Sequence, residues 1–223
     1  MKNGKKNHSP LGNFATGASL GGKVSEYAEH EEIYAQGSPA PTLFFIQRGG
    51  VRLSTQSKFQ ATAVTGILGV NDFFGELCLA GYPFRMSTAV AMKSSSIRVI
   101  KKVKMFELLR KKAKASNALV GHLLTSVKKY QDHVADLLTS SAEQRLASVL
   151  LRLAHLDESG PPLSEIPVIH HQILAEMVGT TRPRINLFMN RFRKLGYIDY
   201  DGGLEVRQSL RKVLRGRKKP AAA

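Results

Sequence analysis

The chain has 223 residues, 33 Lys and Arg against 17 Asp and Glu for a formal net charge of +16, one cysteine and no tryptophan. One cysteine excludes a disulfide framework, a four-thiolate iron–sulfur cluster and a cysteine-based zinc site, and no apolar run approaches the roughly 18 residues of a membrane helix. With 43% hydrophobic residues the chain is expected to be a soluble, cytoplasmic protein of one large or two modest domains, whose charge favours polyanionic partners without locating them.

Residues 1–22 are rich in Gly, Asn, Ser and Lys and read as a disordered arm. Gly17 to Lys23 has the spacing of a phosphate loop, but Val24 stands where Ser or Thr would hold magnesium, so no triphosphate site is expected. From Lys23 to Lys101, within an expected effector domain over 23–115, the pattern is one of short strands. Residues 43–46 (LFFI) lead into Gly49-Gly50, and 51–54 then alternate apolar with polar; this predicts a hairpin, because paired glycines accept the positive φ of a two-residue turn. Segments 61–70, 85–91 and 96–100 continue the strands, and such punctuation predicts an antiparallel barrel or jelly roll. Eight basic residues surround Glu107 in 98–114, which reads as a solvated face.

The period then becomes helical. Residues 104–112 form a short amphipathic helix with Met105, Leu108 and Leu109 on its apolar side. Ser116 or Asn117 caps a longer helix over 116–139, in which Val120, Leu124, Val127, Gln131, Val134 and Leu138 follow spacings of 4, 3, 4, 3 and 4. This narrow, sustained seam suits a two-stranded coiled coil with one polar residue setting register; the alternative is a stripe packed on the chain's own β domain. Thr139-Ser140-Ser141 ends the pattern and caps a new helix with Leu146, Val149, Leu150 and Leu153 facing inward. A loop rich in Gly, Pro and acid follows at 155–167. Two short helices, about 171–178 and 182–195, precede a hairpin at 197–206 turning at Asp201-Gly202-Gly203, and then a basic tail over 207–223.

The most specific local pattern lies in the two short helices. Leu174, Ala175 and Val178 line the inner side of the first, and Gly179 permits a sharp turn. Thr181 caps the second, and Pro183 falls in its first turn, where its missing N–H costs nothing. Ile185, Phe188, Met189, Phe192 and Leu195 share one face; Pro183, Asn186, Leu187 and Asn190 share the other, flanked by Arg182 and Arg193. This is a helix-turn-helix pattern within a DNA-binding domain over 140–206, with the hairpin as a wing on the DNA backbone. Arg182 suits guanine O6/N7, Asn186 or Asn190 suits adenine N6/N7, and Leu187 suits a thymine methyl. Arg184 and Arg191 lie where phosphate contact is expected, and Thr180 and Thr181 complete the surface at the helix start.

A second pattern runs from Phe73 to Ala89. Gly75 and a helix start expose N–H groups that favour an anion; Glu76 accepts from a sugar hydroxyl and Arg85 forks onto a phosphate. Cys78, just after that helix start, reads as a small buried filler, with a lowered thiol pKa and a redox role as the alternative. His170-His171 read as capping or phosphate-contact residues, not metal ligands. No nucleophile–base pair or paired carboxylates suggest an enzyme.

With Gln36-Gly37, FFGEL plus Arg85, EQRLASVLLRL and LAEMVGTTRPRIN in view, residues 23–206 resemble the Crp/Fnr family of bacterial transcription factors. The resemblance implies an α+β fold: an N-terminal antiparallel β-roll (a jelly roll of the cyclic-nucleotide-binding kind), a long dimerisation helix and a C-terminal winged helix-turn-helix. It further implies a homodimer on a pseudo-palindromic operator in double-stranded DNA, an effector coupled to DNA binding through the long helix, and RNA polymerase as a partner, touched in family activators near the loop corresponding to 155–167. The implied effector is a cyclic nucleotide, cAMP or cGMP, at Gly75, Glu76 (ribose hydroxyl), Leu77, Arg85 (phosphate), Met86 and Ser87, with Tyr130 and Gln131 of the long helix at the purine. Met86 stands where members often have a small or hydroxyl residue, and Tyr130-Gln131 where cAMP-binding members have Thr-Ser. Pro183 and Leu187 replace an acid and a basic residue that read bases. Two alternatives keep the fold: a β-roll sensing another signal or none, and a cyclic-nucleotide signalling module that binds protein or membrane.

Overall fold

The computed structural model describes residues 22–57, 62–154, 169–200 and 203–215. The arm and phosphate-loop spacing before Gly22, the 155–167 loop, the Asp201-Gly202 turn and the tail beyond Arg215 lie outside the described residues. Two compact units divide inside one long helix, between Lys129 and Tyr130.

The first unit is built from β1 (Lys23–Tyr27), β2 (Glu32–Tyr34), β3 (Thr42–Arg48), β4 (Val51–Gln56), β5 (Thr62–Leu68), β6 (Phe73–Phe74), a 3-10 turn (Glu76–Ala80), β7 (Thr88–Ala91) and β8 (Ser95–Lys101). They make two four-stranded sheets, β1-β8-β3-β6 and β2-β7-β4-β5, with every pair antiparallel. The expected β-roll is present, but Gly49-Gly50 does not close a hairpin. β3 pairs with β6 and β8, whereas β4 pairs with β5 and β7, so the two glycines carry the chain from one sheet to the other. Gly49 has φ 100°, and a Cβ there would collide with Ser95, whose hydroxyl accepts from the Gly50 N–H.

The physical reason lies in the run at 43–46. Phe44 and Ile46 face the inter-sheet core with Val51, Phe74, Ala89 and Ile97. Leu43 and Phe45 face the other way, onto a second core with Phe73, Ile100, Met105, Leu108 and Leu119. β3 is thus covered on both faces, which calls for a continuous apolar run. The second cover comes from α1 (Lys102–Lys111) and the start of α2 (Ala113–Thr139). α2 begins three residues before Ser116, whose hydroxyl donates to the Leu109 carbonyl instead of capping a helix.

α2 packs on the roll through Ala115, Ala118 and Leu119. The six-residue stripe lies elsewhere on α2 and stays exposed, from 50% at Val127 to 80% at Leu138, with Gln131 exposed among them. Within the first unit, Val120, Leu124 and Val127 are therefore not covered by the roll.

In the second unit, Ser141 caps α3 (Ala142–Leu153) through a capping box: its Oγ accepts from the Gln144 N–H while the Gln144 side chain accepts from the Ser141 N–H. α4 (His171–Val178) and α5 (Arg182–Lys194) follow, then the antiparallel pair β9 (Ile198–Asp199) and β10 (Glu205–Val206), a 3-10 turn at Gln208–Leu210 and α6 (Arg211–Leu214). Leu146, Leu150, Leu174, Ile185 and Phe192 are fully buried among these elements. Three expected core positions are not: Leu153 and Phe188 are half-buried and Leu195 is 52% exposed, while Ala147 and Leu151 are buried on α3.

Candidate effector pocket and nucleic-acid interface

Arg85 is placed by its backbone. Its N–H donates to the Ser38 carbonyl and its own carbonyl accepts from the Gly37 N–H, so the Gln36-Gly37 turn is the clamp that sets its position. The side chain turns inward and the residue is 5% exposed. Nη2 donates to Thr42 Oγ1 at 2.9 Å and Nη1 to the Gly75 carbonyl at 3.4 Å. The guanidinium stacks over Tyr34 at 4.4 Å and Phe44 at 5.0 Å. Nε is buried without a hydrogen-bond partner, and no carboxylate pairs with Arg85 among the described residues. Burial disfavours its charge and pushes its pKa down.

Gly75 is required here twice over. It adopts φ 75°, and a Cβ would come within 2.6 Å of Arg85 Nη1. Glu76 opens the 3-10 turn beside it, half-buried. Burial pushes its carboxyl up, opposed by a backbone hydrogen bond and by His122 of α2. Gly75 and Arg85 are therefore in contact, with Glu76 next to Gly75 along the chain and its carboxyl under the influence of His122 and Asp72. Leu77 and Met86 are exposed (46% and 50%) and Ser87 is half-buried. Tyr130 and Gln131 are exposed on α2 in the second unit. Cys78 is buried in the core under α1, and burial raises its thiol pKa, contrary to the lowering a helix start suggested. Tyr34, Phe44 and Thr42 escaped the sequence reading, because no spacing links them to Arg85.

The helix-turn-helix turns on Gly179, with φ 66° and its N–H returned to the Ala175 carbonyl. Arg145 of the EQRLA motif, also missed, braces that turn: Nε donates to the Val178 carbonyl and Nη1 to the Ser140 carbonyl, both at 2.7 Å, and Nη2 to the Gly179 carbonyl at 3.4 Å. Thr181 stands at the cap position of α5 but its side chain makes no capping bond, and Thr180 Oγ1 is buried without a partner.

On the outer face, Arg182, Pro183, Arg184, Asn186, Leu187 and Asn190 are all exposed. Arg184 lies over the Phe188 ring at 5.8 Å. Arg191 is drawn back to α3 by Glu143 at 3.1 Å, so its charge is partly neutralised within the domain. His171 Nδ1 is in hydrogen-bond contact with Asn186 Oδ1. Beside this pair a cleft of about 230 Å³ opens between Arg182, Met189 and Tyr200. Among the described residues no group of three His, Cys, Asp or Glu is placed to hold a metal ion, and no helix is long and apolar enough to cross a membrane.

A model of the cyclic nucleotide-binding domain matches residues 24–112, and one of the Crp-like helix-turn-helix domain matches 144–213. The chain is 26% identical over 185 residues to the cyclic AMP receptor protein of Thermus thermophilus, covering 82% of this chain and 83% of that one. It is 22% identical over 179 residues to a CRP-like cAMP-activated global transcriptional regulator of Mycobacterium tuberculosis, covering 79% and 80%. Among solved structures, FixK2 from Bradyrhizobium japonicum shares the fold with a TM-score of 0.75 at 20% identity, covering 92% of this chain and 100% of that one.

Proposed function

We propose, from the chain's membership of the Crp/Fnr family of transcriptional regulators, that it acts as a cytoplasmic homodimer which reads a pseudo-palindromic operator and whose β-roll binds a cyclic nucleotide, cAMP or cGMP, to control that reading. The observation that carries the effector assignment is Arg85: a buried guanidinium with an orphaned Nε–H and no carboxylate partner among the described residues. A buried cation without a counter-ion is costly, and an anionic phosphate supplies both the charge and an acceptor. Glu76 accepts from the ribose hydroxyl, Gly75 lets the guanidinium approach, and Leu77, Met86 and Ser87 border the site.

The exposed α2 stripe supports dimerisation, since a narrow apolar seam with one polar residue is what a helix partner covers. On α5, Arg182, Asn186, Leu187 and Asn190 read bases, while Thr180, Thr181, Pro183, Arg184 and Arg191 border the contact and position the backbone. RNA polymerase is the further partner. A second reading, in which the roll senses another signal or none, is favoured by the partial engagement of Arg85: two of its five N–H groups are already used and the plane is stacked on two rings.

Selection of bound duplexes from a random pool, with and without cAMP or cGMP, tests these together. The proposal expects a two-fold symmetric sequence whose affinity changes with one nucleotide. The same sequence with no nucleotide effect, and no heat of binding in calorimetry, supports the second reading. No selected sequence overturns the DNA assignment and leaves a signalling module that binds protein or membrane.

A further inference from the structure

Asn186 is one of two amides on the outer face of α5 that suit adenine, and its hydrogen-bond partner is not on α5. His171, the first residue of α4, reaches it across fifteen positions of sequence, with Nδ1 against Oδ1. Two nominal acceptors meet there, so the contact is attractive when Nδ1 carries the proton and donates to the amide oxygen. His171 is half-buried at the edge of the cleft that also borders Arg182, whereas Asn186 is exposed.

An exposed asparagine amide can present either end to a base edge, since a half-turn about its terminal torsion exchanges acceptor for donor. Adenine needs a defined order: the oxygen accepts from N6–H and the NH₂ donates to N7. A donor fixed on the oxygen removes the exchange. It uses one of the two oxygen lone pairs and leaves the second, with both amide N–H groups, for the base.

We propose that His171 is a specificity-determining positioning residue: it holds the Asn186 amide in one orientation and so sets which base that side chain accepts. This rests on the assignment of α5 as the DNA-reading helix. His171 need not touch DNA; it acts through Asn186. The ordering it imposes before binding is a cost the free side chain would otherwise meet on contact, equivalent to about a 2- to 10-fold change in affinity per half-site.

The test is duplex selection followed by affinity measurement with the full chain as wild type, His171→Ala, His171→Gln, Asn186→Ala and the double variant His171→Ala/Asn186→Ala, with thermal unfolding of each. Asn186→Ala should flatten the base preference at one position of each half-site. His171→Ala should flatten that same position, leave the others intact and weaken binding by about 2- to 10-fold. His171→Gln, whose amide N–H can also donate to the Asn186 oxygen, should retain the preference, and the double variant should bind no worse than Asn186→Ala. Unchanged preference in His171→Ala, or an equal further loss when Asn186 is already alanine, overturns the inference while leaving the DNA assignment standing. A silent Asn186→Ala removes Asn186 as a base reader and the inference with it. Failure of the wild type to select any sequence removes the DNA assignment itself.

Discussion

Replacing Arg85 with methionine separates the two readings of the β-roll, because they disagree about what the guanidinium is for. The substitution removes the bond to Thr42 Oγ1 at 2.9 Å, worth about 1.5–3 kcal/mol for a charged donor. It also removes the stacking on Tyr34 and Phe44, worth about 1–2 kcal/mol at a desolvated site. Against these losses stands the burial of a cation that is 5% exposed and has no carboxylate partner among the described residues. That penalty is several kcal/mol in a protein interior, and its direction agrees with the lowered guanidinium pKa. Methionine keeps an unbranched apolar stem against the two rings.

The opposing contributions are of similar size, so Arg85→Met should unfold within about 1.5 kcal/mol of wild type. It should also lose all heat of binding with cAMP and cGMP in calorimetry. Urea unfolding followed by circular dichroism supplies the first measurement. A loss above about 3 kcal/mol would show that Arg85 is chiefly a structural brace between β3 and the Gly75 turn. Retained nucleotide heat would show that the phosphate is held elsewhere. Either result refutes the argument from the orphaned Nε–H.

Three further outcomes follow from particular residues. Gly179→Ala should cost about 1–2 kcal/mol in unfolding of the second unit, from the backbone alone, because φ is 66° while a Cβ would meet only Leu137 Cδ2 at 3.8 Å; a larger loss would mean a clash the geometry does not contain. Arg145→Lys puts one nitrogen where three separate guanidinium nitrogens now serve the carbonyls of Val178, Ser140 and Gly179 and should cost about 2–3 kcal/mol by denaturant titration, whereas an unchanged midpoint would place the brace outside the stability of the turn. Glu76→Gln concerns pH: the folded-state pKa of Glu76 lies above its ordinary value, so the folded chain binds the proton more tightly, and stability present at acid pH is lost as pH rises through that raised pKa. The glutamine variant cannot ionise, so its melting temperature should exceed that of wild type at neutral pH and converge with it in acid; a variant less stable at neutral pH would mean that the ionised carboxylate is held by partners.

The strands of the roll could be found along the chain, but their partners could not. Residues 43–46 and 51–54 are strands, as the alternation and punctuation require, and the glycines between them do need unusual backbone space. What local pattern cannot supply is the sheet each strand joins. A two-residue glycine link permits a tight hairpin, and it equally permits a crossing between layers. The discriminating feature was present in LFFI: four consecutive apolar residues are too many for a strand with one wet face. Phe45 faces Phe73 at 4.8 Å and Phe44 faces Phe74 at the same distance, on opposite sides of one strand. A strand so covered lies in a sheet with helices behind it, which excludes a free-standing hairpin with its successor.

The functional surfaces divide in the same way. Residue type and spacing single out Glu76, Arg85, Arg182 and Asn186 as candidates, because few side chains can grip a phosphate or a base edge. Their second contacts came from far along the chain: Thr42 and Tyr34 for Arg85, Glu143 for Arg191, His171 for Asn186. Those contacts change what each residue can do. Arg191 and Arg182 lie on opposite flanks of α5, and Arg191 is ion-paired to α3 while Arg182 has no ion pair among the described residues. A phosphate approaching Arg191 must compete with a carboxylate at 3.1 Å, and the exchange returns less than a phosphate meeting an uncompensated cation. The net charge of +16 therefore overstates the attraction at some positions of the reading face and not at others. Specific recognition depends on which of its cations and amides are already held, and by what.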